Sequence, residues 1–276
     1  MRILLAVLLL ATPAFADGGD VLADPAVPLL LAGGGLYAFG LARLWSRAGA
    51  GRGLPPARVA LFGLGFALTA ILLLSPLDTL AERLLAAHMV QHFGVMLVAA
   101  PLMVLGRPGI AFLWALPTTW RSAAVAAHPA SRLLLHPLAA SAVYFAVLWL
   151  WHAPPLHQAA LADVRLHALQ HASFLGAAML FWSAVLGAPR GETRALAFGT
   201  VFATALQSCA LAALLTTSAT VWYPAYPGGL GLSALEDQQL GGLVMWVPCC
   251  AILIGAALSV MAGLLRDTER RAEEAR

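Results

Sequence analysis

Long apolar stretches alternate with short polar ones along most of the chain. Seven of them, at about 27–45, 59–77, 84–105, 135–153, 165–187, 195–218 and 239–265, are long and apolar enough to cross a bilayer. In hydrocarbon each segment must satisfy its own backbone N–H and C=O groups, so these stretches are predicted to be helices. No internal repeat or low-complexity linker divides them. The expectation is an all-α integral membrane protein, a seven-transmembrane helix bundle over residues 27–265.

The start of the chain has a different pattern. Arg2 precedes a short apolar run from Ile3 to Ala11, then Pro13 and the small-residue pattern Ala14-Phe15-Ala16. A basic start, a core too short to span and an A-x-A site predict a cleavable signal peptide over 1–16. A short periplasmic N-terminal segment, 17–26, follows it, and a cytoplasmic tail, 266–276, closes the chain.

Composition narrows the class. Hydrophobic residues make up 61% of the chain and charged residues 11%, against about 25% charged in soluble domains. That balance excludes a soluble enzyme, a disordered chain and a nucleic-acid binder. The partner it implies is the lipid bilayer.

The net charge of +3 comes entirely from arginine, since no lysine is present. Thirteen arginines, among them Arg43, Arg58, Arg107, Arg121, Arg194 and Arg266, fall in the odd-to-even connections and the tail, whereas only Arg83 and Arg165 fall on the opposite side. Basic residues concentrate on the cytoplasmic face. The expected location is the bacterial inner membrane, with a periplasmic mature N-terminus and a cytoplasmic C-terminus. Acidic residues interleave with the arginines of the tail, so a solvated helix end is expected there rather than a lipid-binding patch.

This topology sorts the eight histidines. His128 and His136 fall on the cytoplasmic side. His88, His92, His152, His157, His167 and His171 fall near the periplasmic side, with His157 in a loop. His88/His92 and His167/His171 are i, i+4 pairs, which place both rings of a pair on one helix face. A short hairpin between the fourth and fifth spans brings His152 beside the second pair. Ionisable side chains inside spans face the bundle interior or a polar cavity. Two matched pairs in one leaflet therefore mark His88, His92, His152, His167 and His171 as candidate metal ligands. Imidazole suits copper, zinc, iron and nickel, so ligand type alone leaves the metal open.

Several neighbours are candidate supporting residues. Met89 and Met96 carry thioethers that favour Cu(I), although packing is the ordinary role of methionine. Asp78 and Asp237 lie on the same side and could orient imidazoles, although helix capping fits Asp78, Glu236 and Asp237 equally well. Cys209, Cys249 and Cys250 lie deeper, inside apolar runs, where small-residue packing is the default.

The stretch His88-Met89-Val90-Gln91-His92, continuing to Ala100-Pro101 and Gly106-Arg107-Pro108, resembles the multi-spanning CtaG family of cytochrome c oxidase assembly factors, the caa3-type group. So do Trp151-His152-Ala153-Pro154, His167-Ala168-Leu169-Gln170-His171 with Phe181-Trp182, and the run from Asp237 to Trp246. The resemblance extends from about Val27 to Leu265. It implies an assembly factor rather than an enzyme, acting where copper reaches the haem–copper centre. The implied partners are cytochrome c oxidase subunit I and other copper chaperones. The cysteines are not part of this resemblance. Two other readings stay open from the residues: a haem-binding membrane oxidoreductase, with one axial imidazole from each pair, and a copper transporter.

Overall fold

The computed structural model describes residues 25–126, 133–189 and 191–274. The expected signal peptide, most of the segment that follows it, and His128 lie outside the described residues.

Proline sets where many helices begin. Its fixed φ suits the first helical turn, and its missing N–H is no loss there. Helix α1 spans Ala26–Ala48, α2 Pro56–Leu74, α3 Pro76–Ala81 and α4 Leu85–Phe93. A π-helical turn, Gly94–Ala99, joins α4 to α5 (Ala100–Leu105), and α6 (Pro108–Ala115) and α7 (Thr118–Ala126) follow. The second half holds α8 (Pro137–His152), α9 (Pro154–Ala162), α10 (Val164–Leu186), α11 (Glu192–Thr217) and α12 (Ala234–Glu274). A two-residue β1/β2 hairpin, Gly228–Gly229 with Leu232–Ser233, precedes α12.

Among the described residues, six helical stretches are long and apolar enough to cross a membrane: α1, α2, the α4–α5 unit, α10, α11 and α12. The stretch expected at 135–153 forms α8, whose 16 residues reach about 24 Å at 1.5 Å per residue. That is short of the ~20 residues of an ordinary span. The stretch expected at 59–77 stops at Leu74, because Ser75-Pro76 breaks it and the Ser75 hydroxyl accepts the Leu77 N–H at 3.2 Å. The stretch expected at 239–265 is longer than its apolar part. Ser233 and Glu236 form a reciprocal capping box that starts α12, and the helix runs on through the tail to Glu274. There Asp267, rather than facing water freely, takes Arg194 of α11 at 2.7 Å.

The 84–105 stretch is one crossing with a local change of winding. Pro101 has no N–H, so in the i+5 pattern of a π turn the carbonyl of Met96 loses its donor. The indole N–H of Trp182, on α10, donates to that carbonyl at 2.9 Å. Two elements 86 residues apart are thereby joined inside the bundle.

The main core lies among α4, α5, α8, α10, α11 and α12, with Phe93, Tyr144, Leu148, Phe174, Phe181 and Leu211 buried at its centre. Helix α2 packs closely on this core: a Cβ on Gly65 would stand 2.6 Å from the Ala99 carbonyl oxygen. Helix α1 packs on α6. Following the chain, His88, His92, His152, His157, His167 and His171 collect at one end of the bundle, while most described arginines collect at the other.

Candidate functional site

Four helices place the histidines. His88 and His92 sit on one face of α4, and His167 and His171 occupy the same relation in the first turns of α10. Helix α8 ends at His152 because Pro154 forces Ala153 out of the helical region, to ψ 123°. Pro154-Pro155 then starts α9 at once, and its first turn carries His157 back into the bundle. Asp163 accepts the N–H groups of Arg165 and Leu166 and caps α10, which fixes where His167 begins its pair.

The rings form one continuous cluster. Centroids of His88 and His92 are 4.1 Å apart, and those of His167 and His171 are 4.5 Å apart. Between helices, His88 stands 5.0 Å from His157 and 5.3 Å from His167, and His92 stands 4.9 Å from His171. His152 borders the group 6.4 Å from His157. His88, His92, His152 and His157 are fully buried and His171 nearly so, whereas His167 is half-buried.

Hydrogen bonds assign some ring nitrogens. His152 Nδ1 lies 2.7 Å from the Leu148 carbonyl, so it carries the proton and leaves the Nε2 lone pair open. That Nε2 is buried without a partner, as are both nitrogens of His88 and both of His92. His157 is held from both sides: Nδ1–H donates to the Trp151 carbonyl at 3.3 Å, and Nε2 accepts the Tyr226 hydroxyl at 3.2 Å. Burial pushes the His157 imidazole down to about 3, so it is neutral near pH 7, while burial pushes the Tyr226 hydroxyl up. Tyr223 donates to the His152 carbonyl at 2.7 Å and packs its ring 4.5 Å from His157. His167 and His171 share a 2.9 Å contact between their Nε2 atoms, one donating to the other.

The expected ligands thus come together, and the supporting residues divide. Met89 and Met96 are fully buried among Leu85, Phe93 and Leu97, where they pack. Asp78 accepts Gln91 Nε2 at 2.8 Å, which steadies the residue between His88 and His92. Asp237 accepts the N–H groups of Leu85 at 2.7 Å and Ala86 at 3.1 Å. It caps the helix that bears His88 and His92, from a different helix.

His157, Tyr223, Tyr226 and Gln170 are absent from the sequence-derived set. Gln170 is fully buried with both side-chain polar atoms unpartnered. The signal for it lies in the pentads His88-x-x-Gln91-His92 and His167-x-x-Gln170-His171, which carry the same His-x-x-Gln-His pattern. Nothing local marks His157 as inward-facing.

The rings are neighbours and not a closed coordination sphere. Among the described residues, no three His, Cys, Asp or Glu side chains are arranged to hold a metal ion as they stand. The chemistry of the donor set nonetheless fits a metal: neutral imidazoles, five buried nitrogens without partners, and a half-buried His167 at the margin.

A family model described as cytochrome c oxidase caa3 assembly factor (Caa3_CtaG) matches residues 35–267, which include all six clustered histidines. No curated protein and no solved structure matches the chain.

Proposed function

The chain belongs to the cytochrome c oxidase caa3 assembly factor family, and from that premise we propose that it carries copper, as cargo, on the histidine cluster for the haem–copper centre of the oxidase. The observation that carries this reading is the set of five buried, unpartnered nitrogens of His88, His92 and His152. Leaving a buried polar group unsatisfied costs about 1–3 kcal/mol each. Each neutral imidazole presents one lone pair, so a cation satisfies three of these five nitrogens, one on each ring, and imidazole is a good ligand for copper.

In this reading His88, His92, His152, His167 and His171 supply donors, and His167 receives the ion at the margin. The Leu148 carbonyl orients His152 in the way that outer hydrogen bonds orient metal-binding histidines. Because the rings do not form a closed cage, the ion is held loosely enough to pass on, unlike a structural site. The client is the membrane subunit that houses the haem–copper centre, with another copper chaperone as donor. The arginine bias supports a periplasmic histidine end in the bacterial inner membrane. Copper is favoured over haem because the α4 and α10 imidazoles touch one another directly, with His88 and His167 stacked at 5.3 Å.

The test is metal analysis with an optical spectrum on detergent-purified protein, as isolated and after copper loading. Near-stoichiometric copper without a Soret band is expected, with loss of copper in the His88→Ala/His167→Ala variant. Copper unchanged in that variant overturns the site, and a Soret band overturns the choice of metal.

A further inference from the structure

The chain has three cysteines, and the fold brings all of them to one level of the seam between α11 and α12. The antiparallel register of that seam is set by two contacts. Toward the histidine end, Gly242 lies against Thr216 so tightly that a Cβ would collide with it. Toward the arginine end, Arg194 holds Asp267. Between them, that register brings Ser208-Cys209 opposite Cys249-Cys250, with Cys209 near Cys250 and Cys249 near Ser208. Cys249 is buried, while Cys209 and Cys250 are half-buried and free of disulfides. Met245, one turn from Cys249 on the same helix face, is buried too and adds a thioether on the side toward the histidines.

Packing alone asks for no sulfur here, because a thiol in a core behaves as a small hydrophobe that alanine or valine replaces. What distinguishes the place is soft donors from two helices at one depth of an apolar seam, away from imidazoles and carboxylates. Thiolate and thioether ligands suit Cu(I), zinc and iron–sulfur clusters, and of these Cu(I) is the one that a single pair of sulfurs satisfies, since zinc takes four ligands. We propose that Cys209 and Cys250, backed by Cys249 and Met245, form a second, intramembrane site for cuprous copper. Binding of Cu⁺ converts one S–H to a thiolate–copper bond, the second thiol donates a lone pair, and one proton leaves. No electron moves, and the complex is neutral, which avoids the cost of a net charge in hydrocarbon. The site stands whether or not the histidine cluster holds metal.

The experiment uses the full chain in detergent with His88→Ala, His92→Ala, His152→Ala, His167→Ala and His171→Ala, which removes the imidazole donors of the proposed cluster. Anaerobic Cu(I) titration against a competing chelator is followed by the ultraviolet thiolate-to-copper charge-transfer band and by copper–sulfur scattering in X-ray absorption. One equivalent with sulfur ligation is expected. Adding Cys209→Ser and Cys250→Ser should weaken binding by more than the about tenfold that loss of an outer-shell partner costs and sharply reduce the sulfur signal. Equal affinity and an unchanged spectrum in the serine variant overturn the site, as does the absence of sulfur scattering before substitution. In the unmodified protein, bound Cu(I) should shield Cys209 and Cys250 from maleimide alkylation. Labelling that proceeds without Cu(I) and is equal with it overturns the site independently of any variant's folding.

Discussion

The carboxylate of Asp237 on α12 accepts the backbone N–H of Leu85, the first residue of α4, at 2.7 Å, across 152 positions of sequence. With Ala86 also bound, both oxygens are used on the free N–H groups of the helix that presents His88 and His92. Asp237 is fully buried, so water cannot replace it. Removing it leaves two donors without a partner.

Asp237→Ala is therefore expected to destabilise the protein by about 0.5–2 kcal/mol, the range for losing an N-cap, and to lower copper retention together with the melting temperature. Thermal unfolding in detergent and metal analysis on the same sample check this. An unchanged melting temperature would refute the cross-helix cap.

His88 predicts the opposite sign. Its two nitrogens are buried without partners, so His88→Leu removes an unsatisfied polar group at similar volume. Stability should hold or rise, by about 2–4 °C per kcal/mol gained, while copper binding falls. A large drop in melting temperature would instead mean that the imidazole is satisfied in the metal-free protein.

Trp182→Phe keeps the ring but deletes the N–H that serves the Met96 carbonyl. A loss of about 1–3 kcal/mol is expected for the orphaned carbonyl, read by chemical or thermal unfolding. Wild-type stability in this variant would show that the π turn closes without the indole.

Asp163 tests pH. Hydrogen bonds from the N–H of Leu166 and then Arg165 hold its carboxyl below the usual carboxylate range. A depressed folded-state pKa contributes stability that is present above the unfolded value and is lost as pH falls through the folded value. Hydrogen exchange at Arg165 and Leu166 should thus stay protected at neutral pH and become unprotected in acid. Asp163→Asn should remove that pH dependence, and the same acid profile in the variant would exclude this carboxyl as its source.

With a cytoplasmic C-terminus, a green fluorescent reporter fused after Arg276 fluoresces and an alkaline phosphatase reporter there is inactive. Active phosphatase would place the histidine end in the cytoplasm and remove the periplasmic reading of the cluster.

What the sequence determined by itself is whatever rests on local periodicity. Apolar runs of span length mark where helices lie, since hydrocarbon leaves the backbone no other solution. The i, i+4 spacing of His88/His92 and His167/His171 puts each pair on one face whatever the surroundings. The tertiary structure decided what depends on elements far apart in sequence. His157 turns inward because α9 folds back beneath α8 and meets Tyr226, a residue 69 positions away. Asp237 belongs to α4 and not to its own helix, and Cys209 meets Cys250 only through the α11–α12 register. In each case the partner is chosen by packing between helices, and a single helix's pattern carries no information about which neighbour will face it.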